Sequence, residues 1–216
     1  MQNIKVLFVS ILIAALSFNH LSANVSLPSV FTNHMVLQQN SEITIWGWGK
    51  PFEEIKITTG WENIEHKTVT NNQANWKIVI PTPKAGGPFT IKVQGYNTII
   101  LEDILIGEVW ICSGQSNMEW SAHMGIDNAE KEIADANFPE IRFFSVLHRT
   151  ASEPNYDING TWQICTPETM TDFSATAYFF ARELQKELNV PIGIINASWG
   201  GTPAEVWTPT QSIQND

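Results

Sequence analysis

Residues 107–120, GEVWICSGQSNMEW, constrain this chain more than any other stretch. The run Glu108-Val-Trp-Ile-Cys112 predicts a buried strand, Ser113 to Met118 a turn rich in small and polar residues, and the residues beyond it can start a helix. A strand that empties into such a turn at a helix N-terminus holds a hydroxyl outside the sheet, among backbone N–H groups that have no helical acceptor. Those groups suit an oxyanion. Ser116 is therefore a candidate nucleophile, with its own N–H as a candidate oxyanion donor. Helix capping by Ser113 or Ser116 is the commoner use of serine at such a position, and it stays open on the local pattern. The α/β-hydrolase elbow G-x-S-x-G is absent, because Gly114-Gln-Ser-Asn-Met118 ends in Met.

Before this stretch the chain reads as short β-type runs broken by turns. Ser41 to Trp48 and Glu54 to Thr58 alternate polar and apolar residues, and Ala74 to Ile80 and Phe89 to Val93 continue the habit. Gly49-Lys-Pro51, Asn71-Asn72, Pro81 to Pro88 and Gly95 separate them. Strands of this length at this spacing predict a small antiparallel β-sandwich over 24–105. Trp46, Trp48 and Trp76 lie in these runs, where they would either fill the sandwich core or form a platform for stacking on sugars. His34 and His66 are isolated and read as surface or hydrogen-bonded histidines.

After it the period changes. Ile126 to Ala136 can form an amphipathic helix, Ile141 to Val146 a buried strand, and Ser174 to Leu188 a longer helix. In that helix Ala177, Phe180, Leu184 and Leu188 fall on one face, and Asn189 with Pro191 ends it. Val190 to Asn196 is a further apolar strand, followed by the small-residue turn Ser198 to Thr202. Strands alternating with helices predict a parallel sheet with helices on both sides, a three-layer α/β/α domain over 106–216. In such sheets chemistry collects beyond the C-terminal ends of the strands. Both turns should lie on that edge, and the N–H of Gly200 or Gly201 would be the second oxyanion donor.

The first 23 residues read as a secretory signal peptide, with Lys5, an apolar core from Val6 to Phe18 and the cleavage site Leu21-Ser-Ala23. That implies an exported chain, periplasmic or extracellular, with no membrane span once the leader is cleaved. A net charge of −10 and the lack of a basic patch speak against nucleic acid as a partner. Cys112 and Cys165 could form one disulfide or stay as buried thiols. Neither has a histidine at ligand spacing, so no metal site is offered.

SGQSNMEW resembles the first block of the SGNH esterases, in the branch that contains sialate O-acetylesterases and related carbohydrate acetylesterases. INASWGGTPAEVW resembles the second block, which supplies the oxyanion glycine. Asn33 to Gln38 and Lys84 to Phe89 resemble the β-sandwich that precedes the catalytic domain in sialate O-acetylesterases. The resemblance implies an SGNH-hydrolase (flavodoxin-like) second domain, Ser116 as nucleophile, an acetyl-enzyme intermediate, no cofactor and an O-acetylated sugar or glycan as substrate. Acetylated xylan is the rival substrate within the class. Arg142, Arg149 and Arg182 are the arginines available to meet a sialic acid carboxylate. Gln115, Asn117, Trp199 and Glu205 become candidate substrate-binding residues, although Glu205 could equally be an ordinary first-turn helix acid and Trp199 a packing residue.

The family's general base and its acid come from a D-x-x-H motif, and a further oxyanion side chain from a Q-G-E-[ST]-N-like block. Neither motif occurs in this sequence. His123 is the histidine nearest to Ser116, but it follows the nucleophile turn instead of meeting it from another loop. The expectation is an esterase whose hydrolase domain is incomplete in this chain and has little activity alone. A non-catalytic carbohydrate-binding protein is the alternative from another class.

Overall fold

The computed structural model describes residues 24–213. The signal peptide expected over 1–23 lies outside the described residues. Among the described residues ten strands form: β1 Val36–Gln38, β2 Glu42–Trp48, β3 Glu54–Thr59, β4 Glu65–Val69, β5 Asn75–Pro81, β6 Gly86–Gln94, β7 Thr98–Gly114, β8 Phe138–Ser145, β9 Trp162–Cys165 and β10 Ile192–Ser198. The helices are α1 Ser116–Glu119, α2 Ala129–Ala134, α3 Pro167–Asp172, α4 Ala175–Leu188 and α5 Thr210–Ile213, with short 3-10 turns at Ala122–Met124 and Ala204–Trp207.

β7 organises all of this. Its first half pairs antiparallel with β6, and residues 105–107 take β1 in parallel. Its second half pairs parallel with β10, from Ile192 opposite Glu108 to Ser198 opposite Gly114. One 17-residue strand thus belongs to both the N-terminal antiparallel sheet and the C-terminal sheet, and the domain border expected at 105/106 falls inside it. The full order is β4-β3-β6-β7-β10-β8-β9, with β1 beside β7, while β2 and β5 form a separate antiparallel ribbon. Gly107 permits the crossing from one sheet to the other. A Cβ there would lie 1.9 Å from the Pro191 carbonyl oxygen, so only glycine lets β7 approach the start of β10 this closely.

Two cores result. In the first, Ile45, Trp76 and Ile80 of the β2–β5 ribbon meet Ile55, Ile57, Ile91 and Val93 of the facing sheet. In the second, Ile141, Phe143, Ile192 and Ile194 meet α4 and the turns around it. Phe143 stacks on Phe173 with ring centroids 3.9 Å apart.

Among the described residues, helices α1 to α4 pack on one face of the C-terminal sheet, where helices on both faces were expected. The alternate residues Phe144 and Trp162 point the other way and join the first core beside Phe31 and Met35, so that the N-terminal sheets fill the place of a second helical layer. The strand set also contains an antiparallel edge, β9 on β8, where a parallel sheet was expected.

The face that α4 buries differs from the expected one as well. Ala177, Tyr178 and Ala181 are buried, whereas Phe180 and Leu188 are 38% and 49% exposed. Two alanines let the helix lie close on the sheet, and Phe180 is left at the rim, edge-on to Trp110 at 5.3 Å. The caps agree with the sequence. Ser174 accepts the Ala177 N–H at 3.1 Å, and Asn189 closes the helix in a left-handed conformation, φ 52°.

Both cysteines are free and buried, which decides between the two sequence readings. Burial pushes the Cys112 thiol up and the Cys165 thiol to about 12, so neither is a ready thiolate. Among the described residues, no helix is long and apolar enough to cross a membrane.

Candidate active site

The parallel register of β7 and β10 fixes the site. Ser198 pairs with Gly114, and the Trp199 N–H donates to the Gly114 carbonyl at 2.9 Å, so the two turns leave the sheet side by side at one edge. Gly114, φ 142°, breaks the strand in a conformation that other residues rarely adopt and aims the chain into α1. Ser116 is the first residue of that helix, and no side chain caps the turn before it. This removes the capping role: Ser116 Oγ accepts no backbone N–H, and among the described residues it makes no hydrogen bond.

Ser116 is exposed. It opens onto a concavity of about 410 Å³ whose lining includes Gln115, Ser116, Asn117, Met118 and Thr176. Gly200 comes from the other turn to the same point. A Cβ placed on it would be 3.3 Å from Ser116 Oγ and 3.4 Å from Ser116 Cα. Glycine at 200 is thus what leaves room for the hydroxyl.

Glu119, on the last residue of α1, ties the turns together. Its Oε2 accepts the Gly200 N–H at 2.6 Å, and its Oε1 lies 3.1 Å from His148 Nε2. His148 Nε2 is also 2.9 Å from the Ser198 carbonyl oxygen, and its ring stacks on Trp199 at 4.4 Å with 4° between the planes. Both partners of that nitrogen are acceptors when Glu119 is ionised, so Nε2 is the nitrogen that carries hydrogen. A second tie runs from the Gln115 side-chain amide to the Thr202 carbonyl. Thr202 Oγ1 in turn donates to the Trp199 carbonyl at 2.7 Å and accepts from Trp207 Nε1 at 2.8 Å.

The structure therefore brings Ser116, Gln115, Trp199 and Gly200 together. The Gly200 N–H is engaged by Glu119, whereas the Ser116 N–H has no acceptor among the described residues. Gly201, φ 73°, is exposed, with open space where a Cβ would lie. Asn117 is exposed, and its carbonyl accepts Thr176 Oγ1 at 3.1 Å. Glu205 is exposed on the 3-10 turn beyond the site. His123 sits on the turn Ala122–Met124, exposed to solvent.

Two of the three arginines are spent elsewhere. Arg142 is buried and forms a two-pronged pair with Asp103, and Arg182 pairs with Glu132. Arg149 stays exposed, one residue beyond His148.

Sequence reasoning missed Glu119 and His148. A signal for His148 was present: it follows β8 by three residues at the same sheet edge where Ser116 follows β7 and Gly200 follows β10. Glu119 had only its place in the turn.

A parallel α/β core with two small-residue turns meeting beyond the C-terminal ends of its strands defines the class of α/β proteins that place their functional site at that edge. Comparison with known proteins agrees with that class. The family model described as "Carbohydrate esterase, sialic acid-specific acetylesterase" matches residues 106–216. Rat sialate O-acetylesterase is 36% identical over 205 residues, covering 86% of this chain and 38% of the rat protein. The human sialate O-acetylesterase is 34% identical over 205 residues, covering 86% of this chain and 39% of its own length. The crystal structure of a carbohydrate acetylesterase from Xanthomonas citri superposes with a TM-score of 0.84 at 32% identity, covering 88% of this chain and 43% of that one. This chain belongs to the sialic acid-specific acetylesterase family of carbohydrate esterases. It spans about two fifths of the length of the curated relatives it matches.

Proposed function

We propose that this chain carries the nucleophile half of a carbohydrate O-acetylesterase, with O-acetylated sialic acid as the leading substrate and acetylated xylan as the rival. The hydroxyl of Ser116 attacks the acetyl carbonyl, a bond forms from Oγ to the acetyl carbon, and the sugar leaves as its alcohol. Water then releases acetate from the acetyl-enzyme. The proton of Ser116 goes to a base that the family draws from its D-x-x-H motif, which this sequence does not contain. His148 is not that base in this reading, because its Nε2 hydrogen faces Ser198 and Glu119.

The Ser116 N–H is the first oxyanion donor. The second comes from the Gly200–Gly201 turn: Gly201 as the chain stands, Gly200 if the substrate displaces Glu119. Gln115 and Asn117 line the concavity that a sugar would enter, while Trp199 and Glu205 are assigned to the sugar by family resemblance. We read the ribbon β2–β5 and the sheet it faces as the family's N-terminal sandwich, and the leader over 1–23 as the signal for export to the periplasm or the exterior.

The single observation that carries this reading is the approach of the Gly200 turn to Ser116 Oγ, set by the register of β10 on β7. The test is acetate release from O-acetylated sialic acid and from acetylated xylan by the chain extended with the family's D-x-x-H segment, with and without Ser116→Ala. The expected loss in the variant is at least about 1,000-fold. Release that Ser116→Ala leaves intact would sink the assignment of the nucleophile.

A further inference from the structure

The ribbon β2–β5 presents aromatic side chains to solvent as well as to the core. Residues paired across an antiparallel ladder share a face, and Trp46 stands opposite Lys77, Trp48 opposite Asn75, and Gly47 opposite Trp76. Ile45, Trp76 and Ile80 on the inner face are 1%, 3% and 0% exposed. Trp46 and Trp48 are on the outer face, half-buried, among exposed Thr44, Asn75 and Lys77. Had these two rings served only the core, the inner face beside Trp76 was the place for them. Trp46 does touch Phe31 edge-on at 4.7 Å, which holds one ring edge and fixes its plane.

A third ring stands beside them from a distant part of the chain. Trp46 Nε1 donates to the Tyr156 carbonyl at 3.0 Å, and Tyr156 is 79% exposed. The three aromatics border a groove of about 640 Å³, within the range of small-molecule sites. Polar Thr68, Asn71, Asn75 and Lys77 share the rest of its lining with apolar Val69 and Trp76. Asn71 Oδ1 accepts the N–H groups of Gln73 at 2.9 Å and Asn75 at 3.0 Å, which orients its amide and leaves the NH₂ free to donate. Thr68 Oγ1 donates to the Lys77 carbonyl at 3.1 Å and holds β4 as a wall. Lys77 pairs with no carboxylate among the described residues.

We propose that this outer face is a saccharide-binding groove, separate from the Ser116 turn, which takes a glycan chain against Trp46, Trp48 and Tyr156. Rings two residues apart on one strand stand about 7 Å from each other and can meet successive sugars, whose C–H faces are apolar. The amides of Asn71 and Asn75 and the ammonium of Lys77 meet hydroxyls, and Lys77 can also meet the carboxylate of an acidic sugar. The groove would hold a polymer on the protein while an acetyl group reaches Ser116. Binding itself does not depend on the esterase reading.

The test is affinity electrophoresis of the full chain through gels containing either de-O-acetylated xylan or de-O-acetylated sialylated mucin, polymers that offer no ester. Retardation by at least one polymer is expected. Trp48→Ala should weaken it about tenfold and Asn75→Ala about threefold, while Ser116→Ala migrates as the parent. Asn75 is exposed, so its variant keeps the test valid if Trp48→Ala loses its native far-UV dichroism. Retention by mucin alone, lost in Lys77→Ala, identifies an acidic glycan; retention by xylan identifies a neutral one. No retardation by either polymer, or retardation that Trp48→Ala and Asn75→Ala both leave unchanged, overturns the proposal, as does its loss in Ser116→Ala.

Discussion

Glu119 Oε2 accepts the Gly200 N–H at 2.6 Å, across 81 residues of sequence. That bond joins the turn after β7 to the turn after β10, and His148 holds the other carboxylate oxygen at 3.1 Å. The glutamate is a partly exposed carboxylate whose two oxygens face Gly200 and His148, from the turns after β10 and β8. It fixes the spacing of the turns that flank Ser116 without touching Ser116 Oγ in any hydrogen bond.

Removal of this carboxylate should loosen both turns at once. Glu119→Ala is expected to lower stability by about 1–2 kcal/mol, the range of a charge-assisted hydrogen bond at a partly exposed site. Glu119→Gln should lose less, because its amide oxygen can still accept from Gly200. Urea midpoints at constant slope measure both. An alanine variant as stable as the parent would show that the turns hold their spacing through Gln115 and the sheet alone.

The glycines separate three physical causes. Gly107→Ala places a Cβ 1.9 Å from the Pro191 carbonyl, backbone that cannot step aside, and should cost about 3 kcal/mol or more. Gly200→Ala meets Glu119 Oε2 at 2.5 Å, the movable end of a side chain, so the turn survives and the Gly200–Glu119 bond is lost. Gly201→Ala has open space but φ 73°, and should cost about 1 kcal/mol from backbone alone. Thermal or urea unfolding should rank them 107, then 200 and 201 together well below it.

Ser116 has no structural duty to lose. Its hydroxyl is exposed and makes no hydrogen bond among the described residues, so Ser116→Ala should stay within about 0.5 kcal/mol of the parent. A stability change beyond that, read from the unfolding midpoint, would mean that the hydroxyl anchors the turn after all.

Much of this was legible, for a physical reason. β2, β3, β5, β6, β8 and β10 each bury one or both faces, and burial writes apolar periodicity into sequence. β4 was not legible because Glu65-His-Lys-Thr-Val69 has an exposed, polar face pattern. The three residues of β1 and four of β9 are too few to show a period. The first half of β7 was hidden by Glu102 and Asp103, charges that interrupt the apolar run inside a single strand. At the site, the two turns were legible from Gly and Ser. Glu119 was not, since its role depends on the β7–β10 register and not on its neighbours.

Asp103 explains why a charge stands in the middle of β7, and it makes the last prediction. Its carboxylate takes Arg142 at 2.7 and 3.2 Å and His34 Nδ1 at 2.7 Å, while Arg142 is 4% exposed and also donates to the Pro139 carbonyl at 2.8 Å. The pair stitches β7 and the N-terminal segment to β8. The Arg142 hydrogen bonds hold the Asp103 carboxyl below the usual carboxylate range, against the opposing effect of burial and with a further contribution from His34. Because the folded pKa is depressed, this stabilisation is complete above the unfolded value of about 4 and is lost as pH falls through the lower folded value. Asp103→Asn should therefore be less stable by about 2–3 kcal/mol at pH 7, since Arg142 is left buried without its anion. The gap should begin to close as pH drops below about 4, where the unfolded chain takes up the proton, and vanish only below the lower folded value, where the native carboxylate is itself protonated. Unfolding midpoints of both proteins at pH 7, 5 and 3 give the measurement. A gap that stays constant across that range would assign the loss to hydrogen bonds that the amide cannot reproduce and not to the charge, since asparagine adopts the left-handed backbone at position 103, φ 55°, as readily as aspartate.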